Sequence, residues 1–305
     1  MESYIFGIFP RSELLIEATR KHWKNLKELM YKETEKIIKL QESSKLSYIS
    51  DPLLNWDDML RPYTLNFEGI EVDGLNRFFE TNTFYRVPVI KGEIRSSGKV
   101  TIENVHLQLL KSASTSLVVL PEPLTFALMC RDEFYGNFEK LLDSLTDALK
   151  EEAKTLREHF AILVLKAPYL AFLKNKELLG LSSVAVEAIK NAFQKEVILH
   201  VYFRNASNII KQLIDFPVDG IGIDLYTTPL NSLKDYSFKH LTISVIDGYS
   251  TKMESTKEIK NMIRKALEIL NYKKLRISNN VDLEYIPYSF AVRKVKILGK
   301  VSGDV

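Results

Sequence analysis

The chain has 305 residues, 46% of them hydrophobic and 27% charged, a globular balance that excludes disorder and suits either two ordinary domains or one barrel-sized domain. Forty-two basic residues against thirty-nine acidic ones leave a net charge of +3, which argues against a general nucleic-acid binder and makes any anion site local. No apolar run approaches the roughly 18 residues of a membrane-spanning helix.

The opening MESYIFGIFPRSELL lacks the basic start and long apolar centre of a secretion signal and reads as a first strand, YIFGIF (4–9). Further strand-like runs follow at 46–50 (LSYIS), 116–120 (SLVVL), 160–165 (FAILVL), 196–203 (EVILHVYF), 220–225 (GIGIDL), 240–246 (HLTISVI) and 274–278 (KLRIS). They are apolar on both faces, as strands of a parallel sheet covered on both sides must be. Between them lie amphipathic stretches, clearest at 12–41, 137–160, 205–216 and 255–270. Asn205 and Ser255 stand at N-cap positions, and Glu258 gives Ser255 a capping box. With SFAVRKVKILGKV as a closing helix, eight strands predict an α/β fold: a single (β/α)8 TIM barrel over residues 1–305. The interval between the second and third strands is long, about 65 residues, and predicts a polar, aromatic-rich insertion with a hairpin. An open doubly wound sheet is the rival, but no GxGxxG or GxxxxGK[ST] motif supports nucleotide binding of those kinds.

The lone cysteine, Cys130, excludes an internal disulfide and a multi-thiolate zinc site within one chain. It points to a cytoplasmic protein, and its setting in LTFALMC reads as buried filler.

Functional groups of a barrel come from the C-terminal ends of its strands. Read round the ring, those are Pro10 and Arg11, Asp51, Glu122, Lys166, then His200 with Tyr202 and Arg204, Asp224, Asp247, and last Asn279, Asn280 and Asp282. Both charge signs are present, which suits a zwitterionic or anionic small molecule. Arg11 either pairs locally at a helix start or grips a carboxylate bidentately. Asp51, ahead of a proline, either starts a turn or touches a ligand. Lys166 ends an apolar strand, so it needs a carboxylate partner or a depressed pKa suited to Schiff-base chemistry. Asp224 is the simplest partner for Lys166 or His200. In the segment 78–92, FFETNTFYRVPVIKG, Asn82 and Tyr85 complete the candidate set, and its aromatic rings either pack a loop or stack on a flat heterocycle.

The blocks FPRSELLIEATRKHW, FFETNTFYRVPVIKG, LVVLPEPLTF, FPVDGIGIDL and VIDGYSTKMES, in this order over nearly the whole chain, resemble the cobalamin-independent methionine synthases. Members of that family carry two (β/α)8 barrels. The resemblance implies a catalytic C-terminal barrel in which a His-x-Cys pair, a glutamate and a second cysteine hold zinc that activates homocysteine for methylation by a folate. In this chain His200 falls on the histidine, Tyr202 on the cysteine, Asp224 on the glutamate and Val281 near the second cysteine. Both thiolates are absent, so no bound metal is expected. The family's IDEP motif appears as VLKAP, which places Lys166 and Ala167 where acids belong, whereas Asp51 resembles the glutamate that reaches the homocysteine amine. The chain is therefore similar to the non-zinc, N-terminal barrel. The lysine of the family's R-E-L-K run, which meets the folate polyglutamate tail, is missing from S-E-L-L here. These features imply no tightly bound cofactor, a methyl-tetrahydropterin of folate or methanopterin type as ligand, and a separate zinc-containing barrel as partner. Two other outcomes stay open: a stand-alone, metal-free enzyme on a zwitterionic small molecule, and a degenerate scaffold or regulatory barrel.

Overall fold

The computed structural model describes residues 1–304. Its strands are β1 (Glu2–Ser3), β2 (Ile49–Ser50), β3 (Glu68–Arg77), β4 (Phe84–Arg95), β5 (Ser116–Pro121), β6 (Arg131–Asp132), β7 (Ile162–Lys166), β8 (Glu196–Val201), β9 (Gly220–Ile223), β10 (Ser237–Ile246) and β11 (Asn271–Asn279). The helices are α1 (Glu13–Arg20), α2 (Leu26–Ser43), α3 (Arg61–Asn66), α4 (Val100–Glu103), α5 (Pro123–Met129), α6 (Phe138–Leu156), α7 (Lys176–Phe193), α8 (Ile210–Leu213), α9 (Thr256–Ile269) and α10 (Tyr288–Gly303). Eight strands form one parallel sheet in the order β1-β11-β10-β9-β8-β7-β5-β2. Its two edges meet: the amides of Ser47 and Tyr48 donate to the Ser3 carbonyl at 2.9 and 3.2 Å, and the Ser50 hydroxyl donates to the Ile5 carbonyl at 2.9 Å. The sheet is thus curled into a TIM barrel, as the spacing predicts. Among the described residues no helix is long and apolar enough to cross a membrane.

β5, β7 and all but the first residue of β8 are buried, because one face fills the barrel and the other packs on helices. Of the two caps read from sequence, Ser255 holds and Asn205 does not. Ser255 and Glu258 form a reciprocal box at α9, and Asn137 accepts the Lys140 amide at α6. The long insertion after β2 contains the antiparallel hairpin β3–β4, extended by β6 in parallel with β4.

Three elements differ from expectation. The stretch 12–41 is two helices, because α1 closes at a left-handed His22 (φ 50°) with the Trp23 amide returning to the Ala18 carbonyl. That is a Schellman-type stop with histidine in the place glycine usually takes. The stretch 205–216 winds only from Ser207, as a 3-10 turn leading into the four residues of α8; Asn205 spends its carboxamide oxygen on the Ser207 amide and hydroxyl. The first strand, expected at 4–9, pairs as a ladder only just ahead of that span, at Glu2–Ser3, since Gly7 turns to φ 83° and the Ile8 amide leaves the sheet for the Asp282 carboxylate.

Candidate functional site

The C-terminal mouth is organised around a buried ion pair. Lys166, the last residue of β7, places Nζ 2.6 Å from Asp282, and both side chains are at most 2% exposed. The same carboxylate oxygen accepts the Ile8 amide at 2.7 Å. A Cβ on Gly7 would overlap that carboxylate, so glycine is required there. Lys166 therefore has the carboxylate partner that its position demands, but the partner is Asp282 and not Asp224.

His200 lies beside this pair, fully buried, with its ring centroid 4.3 Å from that of Phe6. Its Nε2 sits 2.9 Å from the Asn280 carbonyl, which fixes Nε2–H as donor and leaves Nδ1 a bare acceptor without a partner. The ring occupies the space a Cβ on Gly222 would need. Burial depresses the imidazole pKa to about 4, with Lys166 pushing the same way and the Asn280 bond opposing. His200 is thus neutral. Tyr202 is buried with its hydroxyl unpartnered, and burial holds that phenol well above its ordinary pKa.

Two open spaces flank this centre. The larger, a cleft of about 830 Å³, is lined by Phe9, Arg11, Trp56, Glu284, Tyr285 and Tyr288. Arg11 donates to the Leu54 and Trp56 carbonyls at 2.7 and 3.3 Å and pairs with Asp57 at 2.9 Å, so its guanidinium fastens the loop after β2 at the rim. Burial, then the charge of Asp282, raises the Glu284 carboxyl to about 8, against an opposing pull from Lys166. The smaller space, about 290 Å³, has Asp224, Asp247 and Asn280 on one side and Phe79, Phe172 and Phe203 among its walls.

Of the eight candidates, Lys166 and His200 come together at the centre, Asp224 and Asp247 share the smaller cavity, and Arg11 lines the larger cleft. Three are placed otherwise. Asp51 is 4% exposed and ties two loops, accepting the Leu53 amide and both the amide and Nδ1 of His106. Tyr85 is buried with its hydroxyl on the Met129 carbonyl at 3.3 Å, which makes it part of the packing under the hairpin. Asn82 is exposed at the hairpin tip. Cys130 is partly buried and gives its thiol to the Phe126 carbonyl; burial pushes the thiol pKa up, against any nucleophilic role. Glu284, Tyr285, Phe172 and Phe203 were not singled out from the sequence. The signal for the first two was present in NNVDLEYIPYS, two acids immediately after the last barrel strand.

The four positions aligned with the family's zinc ligands do not fit zinc. His200 has its Nε2 bonded to a carbonyl, Tyr202 is a protonated phenol, Asp224 accepts the Tyr226 amide and the Thr227 hydroxyl, and Val281 has no donor. Among the described residues no three His, Cys, Asp or Glu side chains gather as a metal-binding group.

The model of the cobalamin-independent synthase N-terminal domain matches residues 69–271. The methionine synthase of Saccharolobus solfataricus is 25% identical over 303 residues, covering 95% of this chain and 90% of that protein. That of Sulfolobus acidocaldarius is 22% identical over 301 residues, covering 95% and 88%. Among solved structures, a B12-independent methionine synthase from Shewanella sp. W3-18-1 in complex with selenomethionine superposes with a TM-score of 0.82 at 16% identity, over 99% of this chain and 97% of that one. A methyltransferase from Methanosarcina mazei gives 0.63 at 13% identity, over 98% and 93%. A barrel with this topology, matched by that domain model over two thirds of its length, belongs to the cobalamin-independent methionine synthase family, in the line of its N-terminal domain.

Proposed function

We propose that the chain is the non-zinc barrel of a divided cobalamin-independent methionine synthase, working beside a separate zinc-bearing barrel that methylates homocysteine. Its part is to bind the methyl-tetrahydropterin donor, of folate or methanopterin type, or to complete the partner's active site. The observation that carries this reading is the donor set: a phenol and an isopropyl group stand where two thiolates belong, and the histidine aligned with the third ligand is turned to a backbone carbonyl. Methyl transfer to sulfur requires an activated thiolate, and these side chains have no means of making one. The cleft of about 830 Å³ lies within the size range of small-molecule sites, and its aromatic residues and Arg11 suit a flat, anionic ligand. Mixing the purified chain with the cognate zinc barrel should raise methionine formation from homocysteine and a methyl-pterin. Synthesis of methionine by this chain alone, with one equivalent of zinc bound, would overturn the reading. So would the absence of both binding and rate change on mixing.

A second reading, a self-sufficient acid–base enzyme on a zwitterionic substrate, is favoured by Glu284. A carboxyl held near pH 8 at the edge of an open cleft, with Arg11 on the same cleft, is poised as a general acid. A metabolite screen by thermal shift, followed by loss of turnover in Glu284→Gln, would favour this reading over the first. The two cavities count against a degenerate scaffold, for which a mouth filled by side chains is expected.

A further inference from the structure

Among the described residues, the lining of the smaller cavity carries negative charge that no lining cation balances. Glu80, Asp224 and Asp247 line it, and no lysine, arginine or histidine does. Glu80 has a cation of its own in Arg204, whose guanidinium lies over one face of Phe172. Asp224 and Asp247 take their hydrogen bonds from neutral donors only: the Tyr226 amide and Thr227 hydroxyl for one, the Tyr249 amide and the Asn280 carboxamide for the other. Asp224 is 1% exposed, and two carboxylates sharing so sheltered a space call for a proton or a cation.

The opposite walls are aromatic. The Phe79 ring lies 5.2 Å from Phe172 and 5.3 Å from Phe203, and Tyr249 closes the outer side, its hydroxyl donating to the Glu80 carbonyl at 3.0 Å. Phe79 and Phe203 hold left-handed backbones, at φ 51° and 76°. Bulky residues avoid that conformation unless their surroundings impose it, so the fold spends strain to hold both rings here.

The kind of cation follows from what is left to bind it. A primary ammonium must place three N–H donors, and Asp224 and Asp247 keep lone pairs on one side only, while the ring faces opposite accept such bonds poorly. A methylated onium has no N–H to place and requires only a negative field and polarizable aromatic surface. We propose that this cavity binds a methylated onium cation, a quaternary ammonium or tertiary sulfonium, with Phe79, Phe172, Phe203 and Tyr249 as the cage and Asp224 and Asp247 as the counter-charge. The site belongs to this chain alone and stands whether or not a zinc barrel partners it.

Titration calorimetry of the full chain with tetramethylammonium chloride tests the site, with methylammonium chloride and neutral, similarly shaped tert-butanol as comparisons. Tetramethylammonium is expected to bind at least about tenfold more tightly than either. Asp247→Asn and Tyr249→Ala should each weaken it about tenfold. The Tyr249 side chain is half exposed, so its removal leaves a folded protein to measure should Asp247→Asn fail to fold. Equal affinity for tert-butanol would reduce the site to an apolar hole and overturn the proposal. Tighter binding of methylammonium, or no heat with any probe, would overturn it too.

Discussion

The two ends of the barrel interior treat buried charge in opposite ways. At the N-terminal end Arg276, with a side chain 0% exposed, puts Nε 2.7 Å from Glu2 and its two terminal nitrogens 2.5 and 2.8 Å from Glu196. Glu196 also meets His240 at 2.6 Å, Lys274 meets Glu2 at 2.8 Å, and the guanidinium lies over the Tyr48 ring. At the C-terminal end the Lys166–Asp282 pair is just as deep, but its surroundings leave His200 Nδ1, Tyr202 Oη, Asp282 Oδ2 and Tyr285 Oη without protein partners. Buried polar atoms are satisfied as a rule. The closed network is therefore scaffold, and the open one is where water or a ligand completes the hydrogen bonds. This division matches the general placement of function at the C-terminal face of such barrels.

The largest expected effect comes from breaking the closed end. Arg276→Met takes the guanidinium from two carboxylates at once, leaving Glu2 only Lys274 and Glu196 only His240, and should cost about 3–5 kcal/mol of unfolding free energy in a urea titration. A loss under about 1 kcal/mol would show that the network is not what it appears from its geometry. Next comes Lys166→Met, about 3 kcal/mol, since Asp282 keeps the Ile8 amide but loses its cation. Adding Asp282→Asn should return most of that loss, because removing both charges also removes the cost of burying them. If the double variant is as unstable as the single one, the pair acts through packing rather than charge.

How much of this was legible beforehand depends on whether local signals or distant ones set the outcome. The barrel was legible because doubly covered strands are apolar throughout, and the insertion because two strands were separated by far more chain than one helix requires. Helix α9 was legible from Ser255 and Glu258, whose box is local. Helix α7 was not singled out, since LGLSSVAV mixes glycine, serines and β-branched residues and blurs the helical period. Lys166 was read rightly as needing a carboxylate, but Asp282 lies 116 residues away, and only the closed ring brings the two together. The tie that Asp51 makes was not legible for a related reason. Its partner His106 sits in the insertion, whose course over the mouth no periodicity encodes. The cage aromatics Phe172 and Phe203 come from two different strand-to-helix loops, so nothing in either segment marks them as neighbours of Phe79.

The last of the three effects, which reaches its full size only at the acid end, tests the open end through pH. The His200 pKa is about 4 in the folded chain, below the ordinary value near 6.5 that the unfolded chain recovers. Between those values the unfolded state binds more protons than the folded one, so stability rises with pH across the window. The contribution is complete above about pH 6.5 and is lost as the pH falls toward 4, by up to about 3 kcal/mol. Urea unfolding at several pH values across this range measures it. His200→Gln keeps a donor for the Asn280 carbonyl but cannot titrate, so its profile should lack that slope and serve as the baseline. If wild type and variant run parallel, Nδ1 is not the bare acceptor it is taken to be, and the contrast between the two ends of the barrel weakens at its most buried point.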